Sequence, residues 1–141
     1  MIDIASPLRL RLDSSALVQN WRWLAAQSGS AACGAAIKAD GYGLGARKVM
    51  QYLAVAGCRD FFVATWAEAA ALMPLSGDVS LSVLHGAGES DMVAARTLPA
   101  RPVLNSVEQI ARWRQAGEGR PCDVMVDTGM NRLGLRIEEA L

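Results

Sequence analysis

The order of apolar and polar positions repeats a two-part unit along this chain: a short apolar run, then a longer stretch with apolar residues at helical spacing. Residues 8–12 alternate leucine with arginine like a half-exposed strand. Asp13-Ser14 is placed to cap a helix that carries Ala16, Leu17, Trp21 and Leu24. Residues 32–37 are small and apolar, which predicts a buried strand ending at Lys38; Gly41, Gly43 and Gly45 then lead into a helix over 46–56. Further strands are predicted over 61–64, 79–84, 102–104 and 122–126, separated by helices near 67–73, near 91–96 and from Asn105 or Ser106 to 116. Six near-continuous apolar strands alternating with helices imply a parallel sheet covered on both faces, with right-handed connections.

Two architectures fit this alternation: an open doubly wound sheet, or part of a closed (β/α)8 TIM-type barrel. The 141 residues, 52% hydrophobic and 20% charged, suffice for one folded domain. A complete barrel takes eight strands and roughly 250 residues, so on the barrel reading residues 1–141 are its N-terminal portion. No linker or low-complexity tract interrupts the chain. Fourteen basic and fourteen acidic side chains cancel, which disfavours nucleic acid and anionic membranes as partners. Cys33, Cys58 and Cys122 form no CxxC pair, so neither a disulfide framework nor a zinc site is indicated. No run reaches the roughly 18 apolar residues of a membrane span, and residues 1–7 lack a leader pattern. These features predict a cytoplasmic protein with no metal.

The chemistry concentrates in two stretches. In the first, residues 35–45, Lys38 ends a buried strand at the edge where parallel α/β folds bind ligands. With twelve arginines and only two lysines in the chain, a lysine here stands out. An amine beside apolar strand residues is poorly solvated, which favours the neutral form that attacks a carbonyl to give a Schiff base; the plainer reading is a snorkelling strand-end lysine. Residues 41–46 also satisfy G-x-G-x-x-G/A, the mark of a dinucleotide-dependent oxidoreductase. That fingerprint wants an acidic residue at the end of the next strand, whereas Asp60 lies at its start. In the second stretch, residues 124–134, a buried strand runs into a glycine-containing loop with Arg132, which is either an exposed loop arginine or a fork for a carboxylate or phenolate. The only histidine, His85, follows the 79–84 strand and reads as a loop residue bonded to backbone; Trp21, Trp23, Trp66 and Trp113 read as packing residues.

Together the two stretches resemble the N-terminal half of the alanine racemases, pyridoxal-phosphate enzymes whose barrel begins with a strand ending in V-K-A-x-x-Y-G-H-G. Here that motif reads Ile37-Lys38-Ala39-Asp40-Gly41-Tyr42-Gly43-Leu44-Gly45, and the later signature D-T-G-M-x-R-L-G is present without gaps from Asp127 to Gly134. The resemblance implies a (β/α)8 barrel of which this chain holds only the first strands and helices, the family's C-terminal β domain being absent. It implies pyridoxal 5'-phosphate bound covalently through Lys38, which also acts as one of two acid/base groups. Tyr42 matches the hydroxyl that steadies the cofactor phosphate, and Arg132 the arginine near the phenolic oxygen that also helps hold the substrate carboxylate. The implied reaction interconverts L- and D-alanine for peptidoglycan in a homodimer, the opposing tyrosine base coming from the partner subunit's β domain. A chain without that domain is expected to be inactive alone or a non-catalytic remnant. Two positions depart from the pattern: Leu44 replaces the loop histidine, and Met125 stands where many members carry a carbamylated lysine that orients the arginine.

Overall fold

The computed structural model describes residues 8–140; residues 1–7, where a leader was sought, and Leu141 lie outside that range. Five strands are present among the described residues: β1 (Ala35–Ala36), β2 (Asp60–Val63), β3 (Ser80–Val83), β4 (Arg101–Leu104) and β5 (Asp123–Val124). All neighbours are parallel, and they lie side by side in chain order. That order separates the two architectures. A doubly wound sheet reverses its strand order at a switch point, and the dinucleotide sits there; this sheet has no reversal and winds one way, as a barrel does. The glycine loop therefore lacks the setting that a dinucleotide fingerprint needs.

Among the described residues, six right-handed α-helices accompany the strands: α1 (Ser14–Gln27), α2 (Ala46–Ala56), α3 (Trp66–Ala71), α4 (Met92–Thr97), α5 (Val107–Ala116) and α6 (Ile137–Ala140). Their starts follow local chemistry. The Asp13 side chain accepts from Ala16 N–H at 2.9 Å to cap α1. Thr65 and Glu68 form a capping box on α3, and Ser106 caps α5. One strand face is buried against the helices, where Phe61, Val63, Leu81, Val83 and Leu104 pack with Val49, Met50, Leu53, Trp66 and Trp113.

Three expectations are corrected. Residues 8–12 form no strand: they join none of the five, and Leu8 and Leu10 stand exposed. Alternating Leu and Arg suits a strand only when a sheet offers one dry face, and here none does. The second strand face is also not an apolar layer. Ser80 Oγ donates to Asp60 Oδ1 at 2.7 Å, Ser82 Oγ donates to Asp123 Oδ2 at 2.9 Å, and Arg101 bridges Ser80 and Asp123. Period-2 alternation puts these polar residues on the face away from the helices, toward the interior of the curve. Finally, Trp23 is 64% exposed and packs little, whereas Trp66 and Trp113 are buried and donate their indole N–H groups to the carbonyls of Gly86 and Arg120.

Candidate active site

The carboxyl ends of the strands share one rim, and both motifs sit on it. Lys38 follows β1 and Arg132 follows β5, the two outer strands of the sheet. Between them the rim carries Ala64, His85 and Asn105 at the ends of β2, β3 and β4.

The segment after β1 is a turn of unusual hand. Ala39, Asp40, Gly41 and Tyr42 all have positive φ, from 51° to 64°, and Gly43 continues at 83°. The backbone closes on itself within this spiral: Gly41 N–H donates to Ile37 C=O at 2.8 Å, Gly43 N–H to Ala39 C=O at 3.0 Å, and Gly45 N–H to Asp40 C=O at 2.9 Å. Left-handed backbone costs roughly 1–2 kcal/mol for each non-glycine residue, so Ala39, Asp40 and Tyr42 need outside support. Some comes from Asp40, whose Oδ1 accepts from Ala46 N–H, the first backbone N–H of α2, at 2.8 Å. At Gly41 the backbone comes so close to α2 that a Cβ would lie 3.1 Å from Ala46 Cα. The spiral places Lys38 at its start, half-buried, and Tyr42 near its end, 64% exposed.

The other support is Glu68. Its Oε1 accepts from Ala39 N–H at 2.8 Å, and its Oε2 accepts from Ala64 N–H at 2.7 Å and Thr65 N–H at 3.2 Å. Partial burial pushes this carboxyl up. The N–H groups of Ala39, Ala64 and Thr65, with the Lys38 ammonium nearby, outweigh that and hold it below the usual glutamate value. Sequence reasoning passed over Glu68, although the spacing Thr65-x-x-Glu68 marks it as a capping-box residue.

Arg132 sits in a loop organised by another residue the sequence reading did not single out, Asp127. Its carboxylate accepts from the backbone N–H groups of Gly129, Met130 and Asn131 at 2.8–3.1 Å. Leu135 N–H donates to Met125 C=O at 2.8 Å and Asp127 N–H to Leu135 C=O at 2.8 Å, which fastens the loop at its base. Met125 thus stands at the base of the Arg132 loop, which is held by the Asp127 carboxylate and by these backbone bonds. The N–H groups of Gly129 and Asn131, aided by Met130, hold the Asp127 carboxyl below its usual value against slight desolvation. A carboxyl whose folded pKa is depressed fastens the loop above the ordinary value of about 3.9 and releases it as pH falls through the lower folded value. The amides of residues 129–131 should therefore resist hydrogen exchange down to about pH 4 and lose protection below it. Protection already lost near neutral pH would contradict this.

Lys38 and Tyr42 are brought together on one turn, while Arg132 lies in the loop after β5 at the other end of the strand order, with no hydrogen bond or ion pair between the two groups. Among the described residues, the Lys38 amine, the Tyr42 hydroxyl and the Arg132 guanidinium form no hydrogen bond or close ion pair with another protein group. His85 lies on the rim, its Nε2 3.5 Å from Asp91 Oδ2 and its carbonyl accepting from Gln109 Nε2 at 3.2 Å.

A parallel sheet wound in chain order, with a lysine and a tyrosine on one rim loop and an arginine on another, defines a lysine-bearing member of the (β/α)-barrel class. The chain belongs to the family described as "Alanine racemase, N-terminal domain", whose model matches residues 12–141. It is 47% identical over 137 residues to an alanine racemase of Methylobacterium nodulans, covering 94% of this chain and 37% of that protein. To an alanine racemase of Rhizobium meliloti it is 43% identical over 143 residues, covering 98% and 37%. The crystal structure of alanine racemase from Bartonella henselae with covalently bound pyridoxal phosphate superposes with a TM-score of 0.79 at 36% identity, covering 90% of this chain and 37% of that one. The chain thus spans a little over a third of the length of these relatives. No described helix is long and apolar enough to cross a membrane.

Proposed function

We propose that this chain forms the cofactor-binding part of a pyridoxal-phosphate-dependent alanine racemase, which interconverts L- and D-alanine in the cytoplasm and supplies D-alanine for peptidoglycan. The donor set suits that cofactor: a primary amine for an aldehyde, a phenolic O–H for a phosphate oxygen, and a guanidinium for a phenolate or carboxylate. When bound, pyridoxal phosphate supplies the electron sink that lets an amino acid release its α-proton near neutral pH. Lys38 Nζ holds the cofactor and then carries the substrate's α-proton on one face. The Tyr42 hydroxyl donates to the phosphate. Arg132 offers its forked N–H groups to the phenolic oxygen and to the substrate carboxylate, which fixes the substrate before the proton moves. Inversion needs a proton group on the opposite face as well. None of the three residues serves there, and we assign that role to the partner subunit of a homodimer.

The observation that carries this reading is Lys38 at the carboxyl end of β1, followed by the spiral that carries Tyr42, in register with the family's lysine motif. Incubation with pyridoxal phosphate, borohydride reduction and peptide mapping should find the cofactor fixed at Lys38 and not at Lys48, the chain's other lysine. Fixation at both lysines alike, or at neither, would refute the assignment.

A further inference from the structure

Lys38 has no side-chain partner within hydrogen-bonding distance among the described residues, so no polar contact of its own fixes the amine, and its place depends on the backbone that carries it. That backbone is a left-handed spiral with three strained non-glycine residues. Strain of this kind persists only where the surroundings fix it, and at the lysine end the fixing contact comes from 29 residues away, in the Ala39 N–H to Glu68 Oε1 bond of 2.8 Å. The second oxygen of the same carboxylate holds Ala64 and Thr65, the residues that leave β2. A single side chain therefore ties the loop after β1 to the loop after β2, at the rim where the amine sits.

We propose that Glu68 is a positioning residue for the Lys38 amine. Its carboxylate locks the first residue of the left-handed spiral and so fixes the backbone from which Lys38 projects at the rim. This role rests on the proposed function, since the amine matters only if a carbonyl ligand meets it. Glutamate suits the task because the ionised carboxylate offers acceptors in both directions and has no donor to oppose an N–H. A glutamine is nearly the same size, and Glu68 borders a cavity of about 280 Å³ also lined by Ile37, Asp40, Ala46 and Leu72. The substitution Glu68→Gln thus adds no crowding, but it turns an amide NH2 group toward either Ala39 or the Ala64–Thr65 pair and breaks one side of the tie.

The capping box supplies an internal control. Thr65→Ala removes the Thr65 Oγ1 to Glu68 N–H bond of 3.3 Å and weakens the start of α3, but leaves the Ala39 contact in place. If Glu68 acted only as a helix cap, the two variants would behave alike. The readouts are the affinity for pyridoxal phosphate, measured as the adduct fixed by borohydride at Lys38, and hydrogen exchange at the Ala39 amide. Glu68→Gln is expected to weaken fixation at Lys38 about tenfold and to speed Ala39 exchange, whereas Thr65→Ala changes fixation by no more than about twofold. Equal effects from the two variants, or unchanged fixation in Glu68→Gln, would overturn the proposal. Should Glu68→Gln fail to fold, exchange in the unsubstituted protein still decides: an Ala39 amide that exchanges as fast as one in an unstructured peptide removes the tie. An unsubstituted protein that fixes no cofactor at Lys38 refutes the proposed function and this role with it. Normal fixation there with no effect in the variant refutes Glu68 alone.

Discussion

Lys38→Arg is expected to abolish covalent capture of pyridoxal phosphate. Arginine keeps the positive charge and much of the length of the side chain, so a role in charge or packing alone would survive the change. It fails at the chemistry, because a guanidinium that stays protonated throughout the working pH range offers no free electron pair to an aldehyde and accepts no proton from substrate. The companion variant Lys48→Arg, in the exposed part of α2, should retain full capture and leave Lys38 as the sole lysine of the chain. Mass spectrometry after borohydride reduction reads both results. Capture in Lys38→Arg within about tenfold of the unsubstituted protein would remove the amine from that role.

Gly134→Ala should unseat the Arg132 loop. Gly134 has φ of 110°, and a Cβ there would lie 2.8 Å from Asp127 N and 3.1 Å from both Val126 C and Met125 Cγ. Two of those three atoms are backbone and cannot swing aside. Left-handed strain of roughly 1–2 kcal/mol adds to about 1–3 kcal/mol of forced overlap, or about 3 kcal/mol together. If the loop yields locally, that is about a hundredfold loss in its closed population. The Asp127 to Leu135 bond sits at the point of overlap, so the residues that hold Arg132 should lose protection first. Hydrogen exchange should rise over residues 127–135 while the amides of β2 and β3 stay protected. A loop as protected as before would show that its backbone has room that the structure does not give it.

Much of the fold is legible in the sequence because strands β2 to β5 are set by local patterning: apolar runs beside helix caps such as Thr65 and Ser106 give their places to within a few residues. The strand expected over 8–12 failed because alternation names a dry face without saying whether a sheet is there to supply it. The interior face was misjudged because Asp60, Arg101 and Asp123 lie at strand starts, where a charge reads as a boundary; only the register of four neighbouring strands shows that they meet. For the candidate site, the motifs point to Lys38, Tyr42 and Arg132, which the fold places on one rim, and the glycines suggest a turn. The hand of that turn was not legible: Ala39, Asp40 and Tyr42 have no intrinsic preference strong enough to adopt it, and the contact that holds Ala39 there comes from Glu68, far along the chain. Asp127 is different, since an aspartate two residues before a glycine is a local turn signal present in the sequence itself.

Winding in chain order also partitions the work among separate loops. The amine and the phenol travel together on the crossover that leaves β1, the guanidinium travels on the one that leaves β5, and three further crossovers stand between them. On the function proposed above, a replacement in the loop after β5 can therefore retune how a carboxylate is gripped without touching the segment that carries the amine. Such modularity lets a lineage revise its choice of amino acid one loop at a time while its bond-forming chemistry stays fixed.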